Sequence, residues 1–242
     1  MKEKIYEIPV NDGFSSDCEC PVCFLRRTLE ISAVDYTMGP SYMEDDTRAM
    51  TDELGFCEKH MQAVYDKENR LGMALVLKTH FDKVISDIKK MEKEPVKTKG
   101  LFKKEIKVSN PVNDYIDKLH SSCFVCQRID NVFDRYVDTI FYLWKDDKGF
   151  RERFAGSKGF CTDHFGLLYA KATEMLSKSD ADDFVKVITG LYIENMERVR
   201  DDLEWFINKF DYKYKDEPWK NSRDSIQRAM VKTNGIIEDK KD

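Results

Sequence analysis

The sequence predicts an all-α protein made of two internally duplicated helical repeats, each with a Cys₃His metal site and packed through long amphipathic helices. Three observations predict this fold class. Breakers are scarce, with 11 glycines and 6 prolines in 242 residues, which favours long helices. Apolar residues recur at intervals of three and four, and no segment alternates as a strand does. Two cysteine-containing motifs occur twice, in the same order.

The composition limits the class of protein. The chain is 35% charged and 41% hydrophobic, which is typical of a globular protein of one or two domains. No run reaches the roughly 18 apolar residues of a membrane span, and the charged start lacks a signal-peptide core, so we expect a cytoplasmic protein without membrane contact. The net charge of -5 disfavours nucleic acid as a partner, because such binding requires a basic surface.

Four sequence features recur and predict internal duplication. The spacing between copies is 102, 103 and 104 residues for the first three features, and 115 for the last. The features are Pro-Val-Asn-Asp at 9–12 and 111–114, Cys-x-x-Cys at 20–23 and 123–126, Gly-Phe-Cys-x-x-His at 55–60 and 159–164, and the helical segments at 84–88 and 199–203.

The first copy is predicted to form four helices. Apolar spacing predicts a helix over 24–36, which Gly39 and Pro40 end, then a short helix over 42–53. Gly55 makes the turn into Cys57, with the next Phe packed beneath it, and a third helix covers 57–69. The fourth helix carries an apolar stripe at Leu77, Phe81, Val84, Ile88 and Met91, and the second copy has its counterpart at Tyr192, Met196, Val199, Leu203, Phe206 and Phe210. Core packing is the expected role of both stripes.

These patterns predict four regions. The first repeat covers 1–94, a lysine-rich linker 95–108, the second repeat 109–210, and a C-terminal arm with aromatic residues and a short helix 211–242. Such a linker is usually solvated, and a docking patch for an acidic partner is the alternative. The arm is expected to pack its aromatic side chains on the helices, with a pocket lid or partner surface at Trp219 and Arg223 as the alternative.

Each copy offers a Cys-x-x-Cys pair and, 33 or 34 residues later, a Cys-x-x-His pair. Two such pairs supply the four tetrahedral ligands of a closed Zn²⁺ site, and thiolates with an imidazole suit zinc better than hard cations. Pairing within each copy assigns two zinc sites: Cys20, Cys23, Cys57 and His60 in one, and Cys123, Cys126, Cys161 and His164 in the other.

Alternatives to zinc remain open. Reduced core cysteines explain neither the spacing nor its repetition. A thioredoxin-like redox pair at Cys20 and Cys23 lacks its βαβ surroundings, and iron–sulfur clusters usually take four cysteines. Cys18 lies opposite Ser121 in the alignment of the copies and is therefore the unmatched cysteine, although it could exchange with a ligand. His80 and His120 have no counterparts in the other copy and are predicted to be ordinary surface or core histidines rather than metal ligands.

Closed four-ligand sites predict a structural rather than a catalytic metal. Catalysis at zinc would need an open position and a general base, for which Glu58 and Asp163 are the neighbouring candidates. Nothing in the sequence identifies a catalytic residue or an organic cofactor.

The CPVC, GFCxxH and FDYKYKDEPWKNSRD segments together resemble an uncharacterised family of helical, cysteine-rich proteins from anaerobic Firmicutes. This resemblance spans most of the chain. It implies a bacterial, cytoplasmic setting and supplies no activity and no catalytic residue.

The sequence therefore favours a zinc-stabilised binding or interaction protein whose partner is an unidentified protein or small molecule. An enzyme with its active site at a cysteine site or between the repeats is the second hypothesis. A thiol- or metal-responsive sensor that changes shape when zinc leaves is the third.

Overall fold

A computed structural model describes residues 4–92 and 110–236, and all regular structure within these ranges is helical. Short 3-10 helices cover Lys4–Tyr6, Pro40–Met43 and Tyr212–Tyr214. The α-helices are α1 (Glu7–Ser15), α2 (Pro21–Met38), α3 (Asp45–Leu54), α4 (Glu58–Tyr65), α5 (Arg70–Glu92), α6 (Pro111–Ser121), α7 (Phe124–Asp146), α8 (Lys148–Ala155), α9 (Thr162–Met175), α10 (Lys178–Asn208) and α11 (Ser225–Asn234). The predicted all-α fold class is confirmed, while the predicted linker at 95–108 lies outside the described residues.

Local side-chain chemistry sets several helix ends. The side chains of Asn110, Asp147 and Ser177 accept hydrogen bonds from the backbone N–H groups that open α6, α8 and α10, which satisfies donors that a helix start leaves unpaired. Gly235 ends α11 in the left-handed conformation, as a C-terminal glycine commonly does. This helix begins at Ser225, within the C-terminal arm for which the sequence predicts a short helix.

The chain divides into two compact units. The first unit comprises residues 1–28 and 133–242, and the second comprises residues 29–132. The boundaries fall inside α2 and α7, so each of these helices begins in one unit and ends in the other. The division into a first repeat over 1–94 and a second over 109–210 rests on repeated sequence features and stays a prediction.

An aromatic cluster forms the core of the first unit. Phe14 stacks on Phe154 with 5.2 Å between ring centroids, and Phe154 lies 5.3 Å from Phe184 and 5.2 Å from Phe160. Phe154, Phe160 and Phe184 are completely buried. Each favourable ring pair adds about 0.5–1.5 kcal/mol beyond the burial of its area. Because Phe160 belongs to the Gly-Phe-Cys motif, this core holds the chain just before Cys161.

Packing of α5 against α3 organises the second unit. Arg48 on α3 donates to the carbonyl of Leu75 at 3.2 Å, and Nδ1 of His80 lies 2.8 Å from the carbonyl oxygen of Asp52. His80 therefore has an ordinary structural contact. The buried face of α5 is formed by Gly72, Met73 and Val76.

The apolar stripes occupy different turns from those expected. Phe81 is 59% exposed on α5, and Phe210, just after α10, is 75% exposed. In α10 the buried residues begin earlier, at Ala181 and Phe184, and Val199 is the buried member of the predicted stripe. The core role predicted for the whole stripes is wrong, because helical spacing identifies an apolar face but not the turns that neighbouring elements cover.

Candidate metal centre

Eight side chains converge in two groups of four that could hold metal ions. The first cluster consists of Cys20, Cys23, Cys161 and His164, and the second cluster consists of Cys57, His60, Cys123 and Cys126. Within each cluster all ligand atoms lie within 4.8 Å of one another. The first cluster belongs to the first unit and the second cluster to the second unit. These are the same eight residues that the sequence motifs pick out.

The pairing predicted within each copy is wrong. Cys20 and Cys23 meet Cys161 and His164 of the other sequence copy, and Cys57 and His60 meet Cys123 and Cys126. The two Cys-x-x-Cys pairs have the same ligands and spacing, so local sequence cannot decide which Cys-x-x-His pair each one joins. Contacts between distant parts of the chain decide it, since Cys20 and Cys23 meet ligands at least 138 positions away, and Cys57 and His60 meet ligands at least 63 positions away.

The first cluster forms where two helices begin. Cys20 directly precedes α2, and Cys161 is the residue before α9. The Nδ1 atom of His164 lies 3.2 Å from the sulfurs of Cys23 and Cys161 and 3.5 Å from that of Cys20. The sulfurs of Cys23 and Cys161 are 3.5 Å apart.

The second cluster has the same construction. Cys123 directly precedes α7, and Cys57 is the residue before α4. The Nδ1 atom of His60 lies 3.3 Å from the sulfurs of Cys57 and Cys126 and 3.4 Å from that of Cys123. The sulfurs of Cys57 and Cys126 are 4.0 Å apart.

These separations fit a tetrahedral zinc ion. Zinc–sulfur and zinc–nitrogen bonds of about 2.3 and 2.0 Å place tetrahedral ligand atoms roughly 3.5–3.8 Å apart. The observed separations scatter around that range in both clusters. Two helix N-termini lie at the sulfurs of each cluster, and their partial positive charge favours the thiolate form of the cysteines. The backbone N–H groups of Cys23 and Cys126 point to the sulfurs of Cys20 and Cys123 at 3.4 and 3.5 Å.

Two glycines turn the chain into the Cys-x-x-His pairs. Gly55 has φ +57° and Gly159 has φ +75°, a region that glycine adopts without the steric cost of a Cβ. A Cβ at Gly159 would also lie 2.9 Å from the carbonyl oxygen of Leu191. The predicted turn role of both glycines is confirmed. Of the following phenylalanines, Phe160 is fully buried as predicted, and Phe56 is half-buried.

A buried carboxylate contacts the histidine of the second cluster. The Nε2 atom of His60 lies 3.1 Å from Oε1 of Glu30, and Lys59 lies 2.6 Å from the same oxygen. Metal-binding histidines commonly donate their second ring N–H to such a group, which fixes the tautomer. Sequence reasoning missed Glu30, because it lies outside every repeated motif and thirty positions before His60. In the first cluster the His164 ring instead packs 5.7 Å from the Phe133 ring.

The protonation states of the metal-free second cluster are coupled. Hydrogen bonding to Cys123, with a further contribution from Glu30, raises the pKa of His60 to about 10. Burial alone would raise the pKa of Cys123, but contact with His60 and backbone N–H groups lowers it to about 6. Burial raises the pKa of Cys126 to about 12. The metal-free cluster therefore contains a thiolate–imidazolium pair at neutral pH.

The first cluster is similarly polarised. Hydrogen bonds from Cys20 and Cys23 hold the pKa of Cys161 far below its usual range, while burial raises the pKa of Cys20 to about 12. Cys18 lies outside this cluster and accepts a hydrogen bond from Ser16 at 3.2 Å. All seven cysteines lie in the described part of the chain, and none forms a disulfide.

Fold and site together define an all-helical protein with two Cys₃His groups of metal-binding geometry. The chain belongs to a family of unknown function (DUF6062), whose sequence profile matches residues 1–240. No curated protein and no solved structure matches the chain. In the described ranges, none of the helices has the length and apolar character that crossing a membrane requires.

Proposed function

We propose that both clusters bind Zn²⁺ as closed structural sites and that the protein is a zinc-stabilised binding module. The observation that carries this proposal is the convergence of three sulfurs and one imidazole nitrogen, twice, within 4.8 Å. Thiolate and imidazole ligands select zinc over hard cations, and four ligands complete its tetrahedron. The metal would then supply folding energy, because it joins helices that are distant in sequence.

The closed ligand set favours binding over catalysis at the metal. Catalytic zinc usually keeps a position for water or substrate, and here all four positions have a protein ligand. Glu58 and Asp163 are both exposed and have no hydrogen bond to the clusters among those described. The partner is proposed to be a protein or a small molecule, in a bacterial, cytoplasmic setting with reduced thiols.

Metal analysis tests the zinc assignment. Protein purified without added metal should contain two zinc ions per chain, one for each cluster. Iron with sulfide and a brown colour would replace the zinc assignment by iron–sulfur clusters. A metal-free, stably folded protein would contradict structural metal sites altogether.

A thiol-responsive sensor is a second candidate, favoured by one observation. Cys57 and Cys126 of the second cluster are half-buried, whereas all three cysteines of the first cluster are buried. Accessible thiolates are the ones that oxidise readily. Peroxide should then release zinc first from the second cluster, reversibly with reductant, and equal or absent release from the two clusters would contradict the sensor.

A further inference from the structure

A cavity of about 820 Å³ lies in the first unit. This volume is in the range of small-molecule sites. Its wall is formed by the loop after α8, one face of α10 and the C-terminal arm that leads into α11. Five basic side chains line it, and they are Lys158, Arg198, Lys220, Arg223 and Arg228. The clustering is notable because the chain as a whole is acidic.

Three of these cations already have carboxylate partners. Lys158 pairs with Asp17, Arg198 lies 2.5 Å from Glu19, and Arg228 lies 2.8 Å from Asp202. These pairs fix the wall of the cavity and neutralise part of its charge.

Lys220 and Arg223 are different. Within the described residues neither has a carboxylate partner, and both lie against aromatic rings. The Lys220 ammonium is 3.5 Å from the ring centre of Trp205, and the Arg223 guanidinium is 5.6 Å from that of Trp219.

Four carboxylates line the cavity beside the five cations. Glu19 pairs with Arg198, Asp202 and Asp224 both pair with Arg228, and Glu194 is exposed without a described ion pair. The Asp17 carboxylate beside Lys158 is balanced by the Lys232 ammonium beside Glu19. One net positive charge therefore remains at the cavity.

The arm holds the aromatic rings beside these two cations in place. Lys220 has φ +51°, an unfavourable conformation for a residue with a Cβ that persists only when its surroundings enforce it. The Trp205 indole N–H donates to the Pro218 carbonyl at 3.0 Å, and the Trp219 ring lies 5.8 Å from Phe206. The aromatic rings beside both cations are thus held in place before any ligand arrives, which reduces the entropic cost of binding.

Another part of the cavity wall is continuous in sequence with the first metal cluster. Glu19 directly precedes Cys20 and is buried. The buried ammonium of Lys232 donates to the Glu19 carbonyl at 2.7 Å and lies 3.3 Å from its carboxylate. The Glu19 side chain in turn orients Arg198. The first metal cluster therefore anchors the part of the wall that carries the Arg198 guanidinium.

We propose that this cavity binds a small molecule through its phosphate or carboxylate group, with Arg223 and Lys220 as the anchoring residues. A guanidinium fork matches both anions in two-point hydrogen bonding, and an ammonium adds a point charge. The proposal deepens the binding role proposed above and rests on it. It also assigns a function to the C-terminal arm, which has no equivalent in the first sequence copy.

Indole NMR resonances test this site directly. Inorganic phosphate and succinate are titrated separately into the full chain at constant ionic strength, with ¹⁵N-labelled tryptophan as the reporter. We expect a saturable shift of the Trp205 and Trp219 signals, while the core residue Trp144 stays unchanged. The anion that saturates the shift at the lower concentration shows whether a phosphate or a carboxylate is the preferred group.

Three variants separate a site from general anion binding. Arg223→Gln and Lys220→Asn should each weaken the response about tenfold or more, since each removes a charge-assisted contact; asparagine tolerates the left-handed backbone at 220. Lys213→Gln, an exposed charge on the same arm outside the cavity, should have no effect. No saturable shift with either anion, or equal weakening in all three variants, would overturn the proposal. Zinc content measured on the same samples reports separately on the metal sites.

Discussion

At the scale of single residues, Glu30 decides how the second cluster differs from the first. Its carboxylate lies 3.1 Å from Nε2 of His60 and is itself buried. We predict that Glu30→Gln lowers zinc affinity at the second cluster by about 10- to 100-fold, because outer-shell partners orient the ligand and increase its basicity. Competition with a chromophoric chelator measures this affinity.

The matched control is Glu58→Gln, which removes the same charge beside Cys57 from an exposed side chain. It should leave the zinc affinity of both clusters unchanged. A weakened first cluster in Glu30→Gln, or an equal effect of the two variants, would show that general electrostatics rather than the hydrogen bond to His60 is responsible.

Gly159 is a second residue with a specific structural requirement. Alanine there must adopt φ +75°, with its Cβ 2.9 Å from the Leu191 carbonyl oxygen. We predict that Gly159→Ala costs about 1–3 kcal/mol in the free energy of unfolding. Chemical denaturation of the zinc-loaded protein measures it.

Gly190 provides the comparison within the same unit. It lies inside α10, and a Cβ there meets no atom within 4 Å. Gly190→Ala should therefore stabilise the protein by about 0.5–1 kcal/mol, through helix propensity alone. If both alanine variants had the same effect, the positive φ and close carbonyl contact at Gly159 would not be the cause.

At the scale of elements, the cluster geometry follows from four helix starts. Each pair of ligands three residues apart spans the start of a helix, so one turn presents both to the same ion. Local sequence is sufficient for this part, since the spacing and the terminus are both local features. Which two helix starts meet at one cluster depends on contacts between residues distant in sequence. The observed pairing therefore predicts which combinations of ligand variants remove one zinc ion and which remove two.

Double cysteine variants distinguish the two pairings. Cys20→Ser with Cys161→Ser removes two ligands from one cluster and should cost one zinc ion per chain. Cys20→Ser with Cys57→Ser damages both clusters and should cost two. Pairing within each sequence copy predicts the reverse result. Zinc content by mass spectrometry of the native protein is the measurement, and α-helical circular dichroism controls for global unfolding.

At the scale of the whole molecule, metal binding is linked to pH. The raised pKa values of His60, about 10, and of Cys20 and Cys126, about 12, mean that these groups carry protons at pH 7 in the metal-free protein. Zinc requires them deprotonated. We therefore predict that zinc uptake releases protons, that both clusters retain zinc at neutral pH, and that zinc is lost as the pH falls.

Calorimetric titration with zinc in buffers of different ionisation enthalpy measures the proton release. Cys123 and Cys161 have lowered pKa values and should contribute little to it. Binding without proton release would contradict the assigned protonation states. In the metal-free protein the Cys123–His60 ion pair contributes fully to stability between the ordinary pKa values of the two groups, 6.5 for the imidazole and 9.0 for the thiol. This contribution is lost as the pH falls through about 6, where Cys123 takes up a proton, and as the pH rises through about 10, where His60 loses one.

The sequence by itself determined the helical class, the eight converging side chains and the two glycine turns. Each of these depends on residues a few positions apart: apolar spacing, ligand pairs at helix starts, and a missing Cβ. The helix predicted over 24–36 lies within α2 (Pro21–Met38), because its apolar spacing is a local feature. The apolar stripes show the limit, because Phe81 and Phe210 have core-like spacing and stay exposed.

Only the tertiary structure decided which ligand pairs meet, which carboxylate contacts His60 and where a cavity forms. The two Cys-x-x-Cys pairs are chemically equivalent, so contacts between distant parts of the chain decide which Cys-x-x-His pair each one meets. Glu30 and His60 are likewise joined by folding across thirty positions of the chain. The cations of the cavity come from α10, the loop after α8 and the arm, and no spacing rule connects such distant segments.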